Sequence, residues 1–171
     1  VIWEPLGVAN EDGQTLADAL SLLGHTYQRV NHLETVNDWS QVYGLIITAG
    51  GGNTKKILTN SAVKLAVDYM DDFAGDVYLE GSSTFVEDSQ TELQFRFKVS
   101  PVDTDGGIFG PMKGMGINYG GTWEYTNNPT YYNDVDTISP TSGSGGRQAM
   151  ARESDDEGLA VTYDNSINGS R

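Results

Sequence analysis

Two glutamates could supply a pair of carboxylates to a reaction. Glu4 and Glu80 each come directly after a short segment with the composition of a buried strand. If those strands flank a central one, the two carboxylates stand about 9–10 Å apart, which is two strand spacings. This separation lies at the wide end of the range for the acid and base of an inverting glycosidase. Because the chain has 24 acidic residues, solvated or backbone-bonded carboxylates are the alternative interpretation.

Ser82 is a candidate nucleophile, because it follows the predicted strand at residues 77–79. A serine hydroxyl attacks a substrate only when a base within hydrogen-bond reach takes its proton. The chain has two histidines, His25 and His32, and both flank an earlier predicted strand. We therefore expect no histidine within ~3.2 Å of Ser82. A hydrolase that uses Ser82 or the glutamate pair remains an alternative hypothesis.

A run of three glycines, Gly50, Gly51 and Gly52, follows the most apolar predicted strand. The backbone N–H groups of such a loop can bind an anion at the start of a following helix. The run lacks the spacing of the phosphate-binding motifs G-x-x-x-x-G-K-[ST] and G-x-G-x-x-G. A flexible turn is therefore the alternative to a ligand-binding loop.

Asp103 and Asp105 open a segment that begins like a calcium-binding loop. Alternate aspartates present oxygens on one side of the chain, and Gly106 allows the sharp bend that such a loop needs. No third ligand and no closing glutamate follow at the offsets of an EF-hand. Calcium is thus the cofactor that the sequence suggests, and a solvated acidic surface is the alternative.

The second half of the chain is rich in aromatic residues that could stack on sugar rings or pack in a loop-rich unit. These residues are Trp123, Tyr119, Tyr125, Tyr131 and Tyr132. Together with the aspartates, they raise the alternative of a carbohydrate- or calcium-dependent binding domain.

Composition excludes several classes of partner. The formal net charge is −14, so the surface repels the phosphates of nucleic acids and anionic membranes. No apolar run approaches the ~20 residues of a membrane-spanning helix, and the absence of cysteine removes disulfides and thiolate sites. We expect no nucleic-acid partner and no membrane insertion.

The first half of the chain has the alternation of an α/β fold. Short apolar runs at residues 1–4, 27–30, 43–48 and 77–79 predict strands. Asp12 and Thr59 are suitable caps for helices over residues 13–23 and 60–73, which Gly24 and Gly75 would end. The right-handed crossover rule then predicts a doubly wound, mainly parallel sheet of order 2-1-3-4, with the helices on opposite faces.

The second half predicts less regular structure. Residues 93–99 alternate as in a strand, although they could instead continue a helix from Val86, and residues 159–163 predict a late strand. Residues 103–147 are rich in Gly, Asn and Tyr and predict an irregular insertion of loops or short hairpins. We expect one α/β domain over residues 1–171 with a loop-rich, partly β second half.

Four segments resemble, by their order and spacing, the class I glutamine amidotransferase-like superfamily, which has a flavodoxin-like fold. The similarity is to a secreted branch of it, found as a module in large bacterial surface proteins and peptidases. The segments are LGHTY at 23–27, YGLIITAGG at 43–51, LT at 58–59 and GDVYLEG at 75–81, and the late GLAVTY at 158–163 is similar to the part before that module's closing strand.

The resemblance also implies what this chain lacks. Enzymatic members place a cysteine on the turn after the strand that corresponds to residues 77–80, a glycine-rich oxyanion loop at the position of Gly50–Gly52, and a late histidine as base. Here that turn is Gly81-Ser82-Ser83, and no histidine lies in the late segment. The amidotransferase-like triad is not carried over, so the resemblance favours the non-catalytic branch.

The leading hypothesis is a non-catalytic structural or interaction module of an extracellular or cell-surface protein. The chain opens on Val1 as if inside a strand and stops at Arg171 on a polar turn, which suggests a fragment of a larger protein. Its expected partners are neighbouring domains or other copies of that parent protein. The hydrolase and the carbohydrate- or calcium-dependent binding domain are the two alternatives.

Overall fold

The apolar runs of the first half form the strands of one parallel sheet in the computed structural model of this chain. The structure describes residues 1–5, 11–50, 58–81, 84–85, 90–103, 111–116, 120–123, 137–152 and 158–162. The chain divides into two compact units, the first built on Val1–Gly81 and the second on Ser82–Asp164. The interpretation of residues 1–171 as one domain stays a prediction, and each unit is described by itself.

The described residues of the first unit form four strands and two helices in alternation. In chain order they are β1 (Ile2–Trp3), α1 (Glu11–Leu22), β2 (Arg29–Val30), β3 (Gly44–Thr48), α2 (Asn60–Phe73) and β4 (Asp76–Glu80), with 3-10 turns at Leu33–Thr35 and Trp39–Gln41. The strands are parallel and lie in the order β2-β1-β3-β4. The predicted α/β class and strand order are confirmed.

Strand register decides which side chains share a face of this sheet. Ile2 is the partner of Ile46 in β3, and Ile46 is the partner of Tyr78 in β4. Because successive side chains of a strand alternate between faces, Glu4 and Glu80 lie on the face of Ile2, whereas Trp3 lies on the other. We call these the Glu4 face and the Trp3 face.

The two faces differ in burial. On the Trp3 face, Trp3, Leu45, Ile47 and Val77 are all buried, whereas the Glu4 face is buried at Ile2 and Thr48 but leaves Tyr78 53% exposed. The first turn of α1 lies against Glu4, so α1 covers the Glu4 face. The right-handed crossover rule assigns α2 to the Trp3 face, so helices on opposite faces stay a prediction.

Local signals account for the limits of α2. The hydroxyl of Thr59 accepts a hydrogen bond from the backbone N–H of Ala62 at 3.3 Å, which confirms Thr59 as the N-cap. Val63, Ala66 and Met70 are buried along one side of the helix. The last helical residue is Phe73, and the C-cap Ala74 has a left-handed backbone with φ 51°. The left-handed residue therefore lies one position before Gly75, the glycine predicted to end the helix.

The limits of α1 differ slightly from the prediction. The helix begins at Glu11, so Asp12 is its second residue and the interpretation of Asp12 as the N-cap is wrong. Acidic residues suit the first turn of a helix, where the partial charge of the backbone is positive. At the other end, Gly24 has φ 78°, and the His25 N–H donates to the Leu20 carbonyl at 2.9 Å. This glycine stop was predicted.

The second unit is mainly antiparallel β-structure. Its elements are α3 (Glu92–Arg96), β5 (Val99–Asp103), β6 (Met112–Gly114), β7 (Thr122–Trp123), β8 (Thr137–Pro140), β9 (Arg147–Arg152) and β10 (Gly158–Thr162). One sheet has the order β10-β9-β6-β7, and β5 pairs with β8 in another. The predicted late strand is β10, and the partly β second half is confirmed.

A strand over residues 93–99 was a wrong prediction, because residues 92–96 form α3. The Gln94 side chain stabilises the helix: its oxygen accepts from the Thr91 N–H and its amide donates to the Thr84 carbonyl. Leu93 is fully buried. A side chain that satisfies backbone groups at a helix start favours the helix over a strand here.

The outer edge of β4 is open in the part of the sheet that the structure describes. The Glu80 carbonyl accepts from the Ala49 N–H at 2.8 Å, so Glu80 and, two residues before it, Tyr78 direct their backbone groups to β3. In a parallel ladder the alternate residues direct theirs the other way. Val77 and Leu79 therefore turn their N–H and C=O groups outward.

Candidate functional site

Glu4 and Arg29 form an ion pair at the carboxyl end of β1. Glu4 is 2% exposed, and its two oxygens accept hydrogen bonds from Nε and Nη2 of Arg29, each at 2.7 Å. Arg29 is the register partner of Ile2, which places its side chain on the Glu4 face. This fork-to-fork geometry engages both carboxylate oxygens.

The first turn of α1 completes the surroundings of this pair. The Gln14 side-chain oxygen accepts from Nη1 of Arg29 at 2.5 Å, and the Gln14 amide donates to Asp18 at 2.7 Å. A Cβ atom on Gly13 would overlap the Glu4 carboxylate, so a glycine is needed where the helix approaches the glutamate. Sequence and packing together thus enclose the ion pair between β1, β2 and α1.

The electrostatics of the pair favour a permanently charged contact. The hydrogen bond to Glu4 raises the pKa of the Arg29 guanidinium above its ordinary value, and the Coulombic attraction of Glu4 acts in the same direction, while burial opposes both. Burying a carboxylate is costly unless a partner compensates its charge. The arrangement therefore suits Glu4 as the counter-ion of Arg29.

Glu80 stands in the same row of the sheet as Glu4. The register pairs Thr48 with Glu80 and, one residue beyond the Trp3–Ile47 pair, places Glu4 next to Thr48. The backbones of the two glutamates are thus two strand spacings apart, about 9–10 Å. Thr48 between them is fully buried. The assumption that their strands flank a central strand is correct.

The carboxylate of Glu80 has a partner on its own strand. The Tyr78 hydroxyl donates to Oε2 of Glu80 at 3.1 Å. Burial of the hydroxyl, followed by the charge of Glu80 and this hydrogen bond, raises the pKa of Tyr78 to about 12. Tyr78 is therefore neutral at physiological pH and acts as a hydrogen-bond donor.

Of the predicted glycine loop, the structure describes Gly50. It is buried and has φ 75°, a left-handed conformation that L side chains rarely adopt. Gly51, Gly52, Ser82 and Asp105 lie outside the described residues. Asp103 is the last residue of β5, so the predicted calcium segment begins where this strand ends.

The two histidines lie at different ends of the first sheet, and both are exposed. His25 lies between α1 and β2 at the amino end of the strands. His32 lies two residues beyond β2, whereas β4 is at the opposite edge, three strand spacings or about 14 Å away. Neither histidine is near the carboxyl end of β4.

Within the described residues, no three His, Cys, Asp or Glu side chains are grouped so that they could hold a metal ion. No helix in the described part of the chain is both long and apolar enough to span a membrane.

Sequence reasoning missed Arg29 as the partner of Glu4. The signal was present, because Arg29 is one of only 10 basic residues and falls inside the predicted second strand. A parallel pairing of that strand with the first, in the observed register, places Arg29 and Glu4 on one face. The register itself had no sequence signature.

Comparison with known proteins found no matching family model, no matching curated protein and no matching solved structure.

Proposed function

We propose that this chain is a non-catalytic structural or interaction module of an extracellular or cell-surface protein. The observation that carries the proposal is the buried ion pair of Glu4 and Arg29. Open α/β sheets bind ligands at the carboxyl ends of their strands. Here both oxygens of the buried carboxylate at that position are engaged by one guanidinium, which favours a structural role for it.

The positions of the histidines support the same proposal. A serine nucleophile needs a base within hydrogen-bond reach. His32 is separated from the end of β4 by the width of the sheet, and His25 lies at the other end of the strands. The carboxyl end of β4, which precedes Ser82, is therefore without a histidine in the described structure.

The proposed lineage is the non-catalytic secreted branch of the amidotransferase-like superfamily. Its support is the order and spacing of the four resembling segments, together with a parallel sheet of order β2-β1-β3-β4. The proposed partners are neighbouring domains or other copies of the parent protein. The acidic, cysteine-free composition suits an exported module.

Active-site labelling distinguishes this proposal from the hydrolase alternative. The chain is treated with a fluorophosphonate probe, and the Ser82→Ala variant is the matched control. We expect no labelling of either protein, because the described histidines are remote from the end of β4. Stoichiometric labelling that disappears in Ser82→Ala would overturn the proposal and establish a serine enzyme.

A further inference from the structure

The large apolar side chains that the first unit exposes are concentrated at one end of its sheet. Among its described residues, six large apolar side chains are exposed, and five of them share this location: Leu22 (88%), Leu23 (71%), Tyr27 (40%), Tyr43 (95%) and Phe73 (49%). The sixth, Tyr78, lies in the middle of β4. Isolated exposed apolar residues are common, whereas several at the same end of a unit make that end a candidate interaction surface.

Topology explains why these five residues share one end. Leu22 ends α1, and Leu23 and Tyr27 lie between it and the start of β2. Tyr43 directly precedes β3, and Phe73 ends α2 shortly before β4. All five therefore stand at the amino ends of the parallel strands. We call this surface the apolar end.

Part of the apolar end is held rigid by a buried tyrosine. The Tyr69 ring lies 5.1 Å from that of Trp39 and 6.4 Å from that of Phe73, centroid to centroid. Its hydroxyl donates to the carbonyl of Val42 at 2.9 Å, next to Tyr43. A surface that is ordered before binding loses less entropy when a partner docks.

The charge around this surface is negative. Both α1 and α2 direct their carboxyl ends toward it, and a helix carries about half a negative charge there. Neither helix has a basic residue in its last turn. Asp71 and Asp72 instead occupy the end of α2, and Asp76 begins β4.

The positive groups of the same unit that the structure describes are few. The Val1 ammonium lies at the same end, donates to the Gly44 carbonyl at 2.8 Å, and has its pKa lowered by burial. Arg29 is paired with Glu4, and Lys64 is paired with Asp68, in the middle of α2. Val1–Gly81 contains eleven acidic and four basic residues. A cationic group that approaches the apolar end would therefore be attracted to it.

We propose that the apolar end binds a polypeptide segment that carries large apolar side chains flanked by lysine or arginine. Since α1 covers the Glu4 face and the crossover rule assigns α2 to the Trp3 face, the segment would cross the end of the sheet from Leu22 past Tyr43 to Phe73. Its apolar side chains would cover these three residues, and its basic residues would meet the helix ends and Asp72. A second copy of this chain fits poorly, because it would bring the same negative potential to the interface. The inference deepens the proposed function, on which it rests, by naming a surface and the chemistry of its partner.

A designed peptide of about 14 residues, roughly four helical turns, provides a direct test. The peptide contains only leucine and lysine in an amphipathic pattern, and a serine–lysine peptide of equal charge is its control. We expect the complete chain to bind the leucine–lysine peptide about tenfold more tightly than the control. Amide chemical-shift changes should include Leu22, Tyr43 and Phe73.

Two variants decide whether the apolar end is the site. Tyr43→Ser combined with Leu22→Ser should remove the about tenfold preference for leucine, while circular dichroism stays unchanged because both side chains are exposed. Tyr78→Ser, which also removes an exposed ring, should keep the preference. The proposal would be overturned if the double variant kept the about tenfold preference for the leucine–lysine peptide. It would also be overturned if the amide chemical-shift changes were confined to residues outside the apolar end.

Sedimentation velocity tests whether a second copy of the chain, rather than a basic peptide, occupies the apolar end. We expect the chain to sediment as a monomer at the concentrations used for binding. If the chain self-associates and Tyr43→Ser abolishes this self-association, the proposal of a basic partner is overturned. A second copy of the chain is then the occupant of the apolar end. Neither the peptide-binding result nor the sedimentation result changes what the fluorophosphonate experiment on Ser82 shows. Failure of this inference is therefore distinguishable from failure of the proposed non-catalytic function.

Discussion

At the scale of single residues, the pair of Glu4 and Arg29 links β1 to β2 through a buried carboxylate. Replacing Arg29 with methionine leaves a carboxylate that is 2% exposed without its guanidinium. Loss of one partner of a fully buried pair costs about 3–5 kcal/mol. Because the Arg29 side chain is 22% exposed, we expect Arg29→Met to lower the free energy of unfolding by about 2–3 kcal/mol. Urea denaturation followed by circular dichroism measures the change.

A matched control is available on α2. Lys64 and Asp68 form an exposed i, i+4 pair, and such pairs contribute only about 0.3–0.5 kcal/mol. Lys64→Met should therefore cost less than about 1 kcal/mol. Equal losses in the two variants would show that Glu4 does not need Arg29.

Because of Tyr69, the stability of the chain decreases at alkaline pH. Burial, followed by the charge of Asp76, raises the pKa of Tyr69 to about 12, whereas an unfolded tyrosine has a pKa of about 10. Because the folded value is the higher one, its contribution is complete below pH ~10 and is lost as the pH rises toward 12. Because the Tyr69 hydroxyl is only part-buried, solvent screening reduces this contribution to about 1–2 kcal/mol.

Unfolding between pH 9 and 12 checks this expectation, with absorbance at the tyrosinate band as the second readout. Tyr69→Phe should lose about 1 kcal/mol at neutral pH, since the hydrogen bond to the Val42 carbonyl is gone, and should show a shallower alkaline decline. An identical alkaline slope in Tyr69→Phe would place the effect on other groups.

At the scale of elements, the carboxyl end of α2 contains a strained residue. Ala74 has φ 51°, and a residue with a Cβ atom pays about 1–2 kcal/mol for the left-handed conformation. Ala74→Gly should therefore stabilise the chain by about 1 kcal/mol, partly offset by the greater freedom of glycine in the unfolded state. Thermal and urea unfolding measure the gain.

The neighbouring position responds in the opposite direction. A Cβ atom on Gly75 would overlap the Tyr69 ring, so Gly75→Ala should destabilise by about 1–3 kcal/mol through overpacking. Gly44→Ala is the control, because its Cβ would meet only the Asp76 carbonyl at 3.8 Å. A destabilised Ala74→Gly protein would contradict the strain argument.

The elements also show what the sequence could and could not predict. The limits of α2 follow from local signals, the Thr59 cap and the spacing of apolar residues. The parallel order follows from alternation and handedness. The pairing of Glu4 with Arg29 depends on strand register and was not accessible from local pattern. For α3, the Thr91-x-x-Gln94 capping box was a local signal, but the alternation of apolar residues outweighed it. Residues 93–99 alternate as in a strand, yet 92–96 are helical.

At the scale of the whole molecule, the net charge of −14 sets the response to salt. Repulsion among the carboxylates is screened as the Debye length falls from about 30 Å at 0.01 M salt to about 10 Å at 0.1 M. We expect sodium chloride over this range to stabilise the chain by about 1 kcal/mol, or about 2–4 °C in Tm. Differential scanning calorimetry gives the shift.

The same experiment separates screening from a calcium site. Calcium chloride at equal ionic strength should produce the same shift, if the aspartates Asp103 and Asp105 form only a solvated surface. A shift that saturates with calcium concentration and is lost in Asp103→Asn would instead favour the calcium-dependent alternative.

The open edge of β4 bears on the symmetry of any association between copies. The opposite edge of this sheet, β2, has only two residues, so lateral growth of the first sheet into a fibre would lack a second usable edge. Through the described strands of this sheet, two copies would pair β4 to β4 around a two-fold axis, which closes at a dimer. Centred on Tyr78, that antiparallel pairing opposes Asp76 of one copy to Glu80 of the other, twice. Like charges directly opposite each other are destabilising, so pairing of two copies through β4 is disfavoured. Glu80→Lys converts both contacts into attractive ones, and a concentration-dependent dimer in sedimentation is expected from that variant alone.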